Sequence, residues 1–136
     1  MQNPFFNEKG KEKMKKRCLV AESGGMLARV DAEDIMYILR DGGRIIVVTE
    51  EKEYIYYESM KKAEEIMGDG FFKPRDRCII NMEYLRRVDV NRRQIVFKDG
   101  EEVYLGRDAC YKLKKVFKRY ITENILYVAE DEVPYE

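Results

Sequence analysis

Lys73, Arg75 and Arg77 crowd around Pro74 and Asp76 in FFKPRDRCIIN, residues 71 to 81. A guanidinium is a planar fork of donors, so it can grip a phosphate or read the O6/N7 edge of guanine. More arginines stand at turns. Arg40 and Arg44 flank Asp41-Gly42-Gly43, and Arg107 precedes the last helical stretch. Arginines on separate turns can converge on one polyanion; the bland alternative is that each is a solvated turn charge. Cys78 lies beside two of them. Either they lower its pKa and make it redox-sensitive, or it is a small buried hydrophobe. Tyr54, Tyr56 and Tyr57 have the π-faces to stack on bases, but their alternation with Ile55 fits sheet packing better.

Chemistry of other kinds is not expected. Histidine is absent, so neither a Ser-His-Asp nor a Cys-His arrangement can be built. There is no phosphate-cradling GxxxxGK[ST] loop and no GxGxxG after a strand. The three cysteines, Cys18, Cys78 and Cys110, are far apart and form no CxxC pair. An enzyme, a metal site, a cofactor and a disulfide framework are therefore not expected, and a reducing cytoplasm is the natural compartment. The first residues lack the apolar stretch of a secretory signal. No run approaches the ~20 apolar residues of a membrane span.

The net charge of zero over 136 residues hides an uneven distribution. Residues 71–119 carry fourteen Lys and Arg against seven Asp and Glu. Residues 27–70 carry six against eleven, and residues 120–136 carry none against five. A basic stretch inside a neutral chain suggests a polyanion-facing surface, unless folding mixes the charges again in space.

The elements that must position these residues are mostly strands. RCLVAE and Met26 to Val30 flank Ser23-Gly24-Gly25 as a hairpin, and Asp31 to Asp34 reads as a helical turn. Ile35 to Leu39 and the β-branched RIIVVT flank the Asp-Gly-Gly turn, where glycine accepts the positive φ that tight turns need. Tyr54 to Tyr57 follows as a strand. Ser59 can cap a helix with Met60, Ala63, Ile66 and Met67 on one face. Within 71 to 81, Pro74 is expected to stiffen a charged loop between Phe71-Phe72 and a Cys-Ile-Ile strand. Met82 to Leu85 reads as a turn of helix, and Arg86 to Val90, Gln94 to Lys98 and Glu102 to Leu105 as strands around two turns. From Asp108, Ala109, Leu113, Val116, Phe117 and Tyr120 make one helical stripe. This predicts a mostly β, β-rich α+β domain: antiparallel sheets and two short helices.

The pieces DIMYILRDGGRIIVVT, FFKPRDRCIINMEYLRRVDV and FKDGEEVYLGRD, in this order and spacing, resemble the LytTR DNA-binding domain of bacterial transcription regulators. The resemblance covers roughly Arg17 to Tyr120. It implies elongated antiparallel sheets whose loops enter successive major grooves of double-stranded DNA. Arg44 falls where the family carries its first base-reading polar residue. Arg75 and Asp76 fall on the family's central-loop pair, and Arg77 on a serine that contacts the DNA backbone. Arg107 matches the arginine before the last helix, while Gly106 replaces the serine beside it. Lys73 and Arg40 complete the expected DNA-binding set. Asn81, matching the asparagine that closes the central strand, reads as structural. Asp76 departs from the family pattern. It would repel phosphate, but could accept from a cytosine N4 or orient Arg75 or Arg77.

The expected organisation is a charged tail over 1–15, a DNA-binding domain over 16–120 and an acidic extension over 121–136. The first 16 residues are too few for a receiver domain, so the resemblance is to the DNA-binding half of response regulators or to stand-alone regulators. It implies a sequence-specific transcriptional regulator, with two copies on repeated sites. A membrane protein or histidine kinase encoded nearby would supply its signal. The rival reading is a domain of the same fold used as a protein-interaction module, favoured by zero net charge, the acidic tail and Asp76.

Overall fold

The computed structural model describes residues 17–75 and 77–124. β1 (Cys18–Ser23) and β2 (Met26–Asp31) form a hairpin, and a 3-10 turn, Ala32–Asp34, leads into β3 (Ile35–Asp41). β4 (Arg44–Thr49), β5 (Glu53–Tyr56) and α1 (Met60–Met67) follow. β6 (Phe71–Arg75) and β7 (Cys78–Asn81) come next, then a second 3-10 turn, Met82–Tyr84. β8 (Leu85–Asp89), β9 (Gln94–Phe97), β10 (Glu102–Tyr104) and α2 (Arg107–Asn124) complete the described chain. The strands build a seven-stranded sheet in the order β2-β1-β5-β4-β3-β7-β6 and a three-stranded sheet in the order β10-β9-β8. The strand pairings are antiparallel, so the predicted β-rich architecture is the observed one.

The large sheet is apolar on both faces, which explains why β3 reads as a continuous apolar run. Ile38, Ile45, Val47 and Ile79 pack with Ala63 and Met67 of α1 on one face. Tyr37, Val48, Cys78 and Ile80 pack on the other with Ile95 and Phe97 of the small sheet and Cys110 and Leu113 of α2. At the second contact the Tyr37 and Phe97 rings stack, with centroids 5.0 Å apart and planes 14° apart. The Tyr37 hydroxyl donates to Glu101 Oε2 at 2.6 Å. Burial first, and then the Glu101 carboxylate, push its pKa far above the usual tyrosine value.

Two polar devices fix the joints between elements. The buried Asn81 side chain donates from Nδ2 to the Ile35 carbonyl at 2.8 Å and accepts from the Glu83 N–H at 3.0 Å. It thus ties β7, β3 and the second 3-10 turn together, the structural role expected for it. Ser59 Oγ accepts from the Lys62 N–H at 3.0 Å and caps α1. Arg17 donates to the Ile66 carbonyl at 2.8 Å, satisfying a last-turn acceptor that has no partner within the helix.

The stretch FFKPR differs from the sequence expectation: it is a strand, not a stiffened loop. β6 lies at the edge of the sheet, where the missing N–H of a proline costs no ladder bond. The pairing with β7 shifts register between Phe72 and Arg75, and Pro74 is fully buried. A β-bulge of this kind bends a strand and re-aims its last side chains. α2 begins one residue before the expected Asp108 and continues four residues past Tyr120, to Asn124. Most of the acidic extension, from 125 onward, and the tail over 1–15 lie outside the described residues. Among the described residues, no helix is long and apolar enough to cross a membrane.

Candidate nucleic-acid interface

Two hairpin tips meet at one end of the large sheet. β3 and β4 close with Asp41 opposite Arg44, around Gly42 at φ 65°. β6 and β7 close with Arg75 opposite Cys78. Leu39 pairs with Cys78, and the Arg40 N–H donates to the Arg77 carbonyl at 2.9 Å. The tips are thereby stitched side by side, bringing Arg40, Arg44, Arg75 and Arg77 to the same sheet end. Side chains alternate between faces along a strand. Arg44 therefore shares the face of Ile46 and Val48, and Arg40 the opposite face of Ile38. The tip is basic on both sides.

The four arginines are not equivalent. Arg44 and Arg77 are exposed, while Arg40 and Arg75 are half-buried. Among the described residues, Arg75 Nε is buried without a hydrogen-bond partner, and the guanidinium lies against the Cys78 thiol. Burial pushes the Cys78 thiol up to about 11, a rise that Arg75 only partly offsets. The lowered pKa weighed from sequence gives way to the buried-hydrophobe reading, because Cys78 has no exposed surface. Cys110, also buried, is raised as well, chiefly by desolvation. In the folded protein a thiol reagent at neutral pH should therefore modify Cys18 and leave Cys78 and Cys110 until the chain is denatured. Fast modification of Cys78 in the native state would contradict this packing.

Lys73 is placed differently. It stands on β6 beside α1, and its Nζ is 3.2 Å from Glu64 Oε1, so its charge is already met in part. Asp76 lies outside the described residues. Tyr57 was read from sequence as sheet packing with Tyr54 and Tyr56. Tyr56 is buried, but Tyr57 is 70% exposed and stands next to Arg44 at the tip. A hydrogen bond to Glu22 raises its pKa, and the Arg44 charge pulls the other way. The signal in sequence was position: Tyr57 opens the connection between β5 and α1, just past the last strand residue, Tyr56.

Arg107 belongs to the small sheet's side of the molecule. α2 starts beside the β8–β9 turn, where Gly106 N–H donates to the Arg93 carbonyl at 3.3 Å. It runs back toward the second 3-10 turn, where the Tyr120 hydroxyl donates to Glu83 Oε1 at 2.5 Å. β6 also leaves from that turn, since the Met82 N–H donates to the Gly70 carbonyl at 3.0 Å. Arg107 and Arg75 thus stand at the ends of their elements remote from the same turn. The lysines of α2 lie on its outer face, exposed.

The β8–β9 turn was read from sequence only as a hairpin connection, yet it adds Arg92 and Arg93 next to Arg107. Asp89 Oδ1 accepts from the Asn91 N–H at 3.1 Å and the Arg92 N–H at 3.0 Å. These hydrogen bonds hold the Asp89 carboxyl below its usual range. The Arg92 guanidinium closes on Asp89 Oδ2 at 3.2 Å. Arg93 has φ 59°, the left-handed region that costs a residue with a Cβ about 1 kcal/mol.

Comparison with known proteins shows the family and agrees with the fold. A family model described as the LytTr DNA-binding domain matches residues 26–118. Among solved structures, the LytTr DNA-binding domain of a Bacillus cereus protein superposes with a TM-score of 0.64. It is 17% identical in sequence, and the match covers 75% of this chain and 97% of that one. No curated protein matches the chain.

Proposed function

The chain belongs to the LytTR DNA-binding domain family, and from that premise we propose that it is a cytoplasmic, sequence-specific transcriptional regulator of double-stranded DNA. The DNA-binding unit is assigned to residues 16–120. Its reading edge is the sheet end that holds the two hairpin tips, together with the start of α2. The observation that carries the proposal is the Arg40 N–H to Arg77 carbonyl bond, because it makes one rigid basic edge of two separate hairpins. A pre-ordered backbone loses less entropy on binding than a mobile one.

In this reading Arg44, Arg75 and Arg107 address base edges in successive major grooves. Arg40, Arg77 and Lys73 neutralise phosphates, Lys73 by exchanging Glu64 for the backbone. Asp76 either orients its arginine neighbours or accepts from a cytosine N4. Two copies would occupy repeated sites, with a membrane or kinase partner encoded nearby supplying the signal.

A fluorescence anisotropy titration of a labelled duplex over a series of salt concentrations tests the proposal. Affinity should fall along a line of log K against log salt, steepening by ~0.9 for each phosphate neutralised. Absent or salt-independent binding would instead favour a protein-interaction module built on the same fold.

A further inference from the structure

Arg93 is the one non-glycine residue at positive φ among the described residues; the other such positions are glycines. A glycine would take this conformation without strain, and an asparagine more easily than an arginine. The turn's hydrogen bonds do not require the Arg93 side chain: Asp89 organises it through the backbone of Asn91 and Arg92. Arg92 spends its charge on that same carboxylate. Arg93 is exposed, and among the described residues its guanidinium has no hydrogen-bond or ion-pair partner. What the turn does use from Arg93 is its carbonyl, which accepts from the Leu105 N–H at 2.9 Å and the Gly106 N–H at 3.3 Å. These bonds staple the turn to the two residues directly before Arg107.

We propose that Arg93 is a phosphodiester contact of the DNA interface, and that its staple to residues 105 and 106 transmits that contact to the approach of Arg107. The inference rests on the DNA-binding reading and adds to it an element, the β8–β9 turn, outside the expected set. An arginine held at positive φ, where glycine would fit without strain, points to use of its side chain. Its ligand is a phosphate rather than a base: the turn holds it beside Arg107, not in its place, and an exposed guanidinium is a strong phosphate donor.

Arg93→Gly is the informative variant, because it removes the side chain and fits the backbone. Its thermal midpoint should equal or exceed that of the wild type. Its affinity should drop several-fold, to a similar extent on a mixed-sequence duplex and on duplexes selected by the wild type. Its plot of log K against log salt should be shallower by ~0.9. Arg93→Lys should restore most of that slope. Wild-type affinity and slope in Arg93→Gly would overturn the inference while leaving the DNA-binding reading intact. A loss confined to the selected duplexes would overturn the phosphate assignment. A wild-type protein that binds no duplex would overturn the DNA-binding reading itself, and the inference with it.

Discussion

Replacing Phe97 with alanine should destabilise the fold by about 3–5 kcal/mol, the range for deleting a fully buried phenylalanine. Phe97 has no exposed surface, and its ring stacks on Tyr37 of the large sheet. It is therefore a joint between the two sheets as well as a core residue. The cavity left behind would be lined by strands of both sheets, which cannot easily close on it. Since small domains have only ~5–15 kcal/mol in total, the variant should show a much lower denaturant midpoint. A shift below ~1 kcal/mol would mean that the small sheet does not depend on this contact. Arg107 would then be positioned by α2 alone.

The second large effect is on recognition. The double variant Arg44→Ala, Arg107→Ala removes two exposed guanidiniums on different elements, so each loss should add to the other. At ~1–3 kcal/mol of discrimination per bidentate contact, preference for duplexes selected by the wild type over mixed sequence should fall by roughly 30-fold or more. Non-specific affinity should fall far less. The measurement is competition anisotropy with both duplex classes. A preference equal to wild type would remove both residues from the reading set. Arg75 is better tested separately, because its guanidinium packs on Cys78 and its loss would also disturb the tip.

The fold was largely legible because its local signals agree with one another. Gly42 supplies the positive φ its turn needs, RIIVVT is β-branched, and Ser59 stands at the cap of α1. FFKPR was not legible as a strand. A proline among charges argues against a strand interior, and only the tertiary fact that β6 is an edge permits it. Cys78 shows the same limit. Its neighbours in sequence are basic, but its pKa follows its burial, which depends on the packing of β3, β7 and the small sheet.

The arginines of the site were visible as types at turns, but their convergence was not. It comes from long-range bonds such as Arg40 to Arg77, and from the antiparallel partnership of β3 with β7. The exposure of Tyr57 and the backbone conformation of Arg93 were not legible, for related reasons. Tyr57 shares a pattern with two packed tyrosines, and the positive φ of Arg93 has no signature in a turn read as ordinary.

Whether the two hairpin tips and the start of α2 form one DNA-binding edge is tested by mapping backbone amide chemical shifts as duplex DNA is added to the protein. Perturbations should concentrate on residues 40–44, on Arg75 and Arg77, on Arg92 and Arg93, and at Arg107. The β1–β2 hairpin edge and α1 should change little. Perturbations centred on that hairpin or on α1, or no perturbation at saturating duplex, would contradict it.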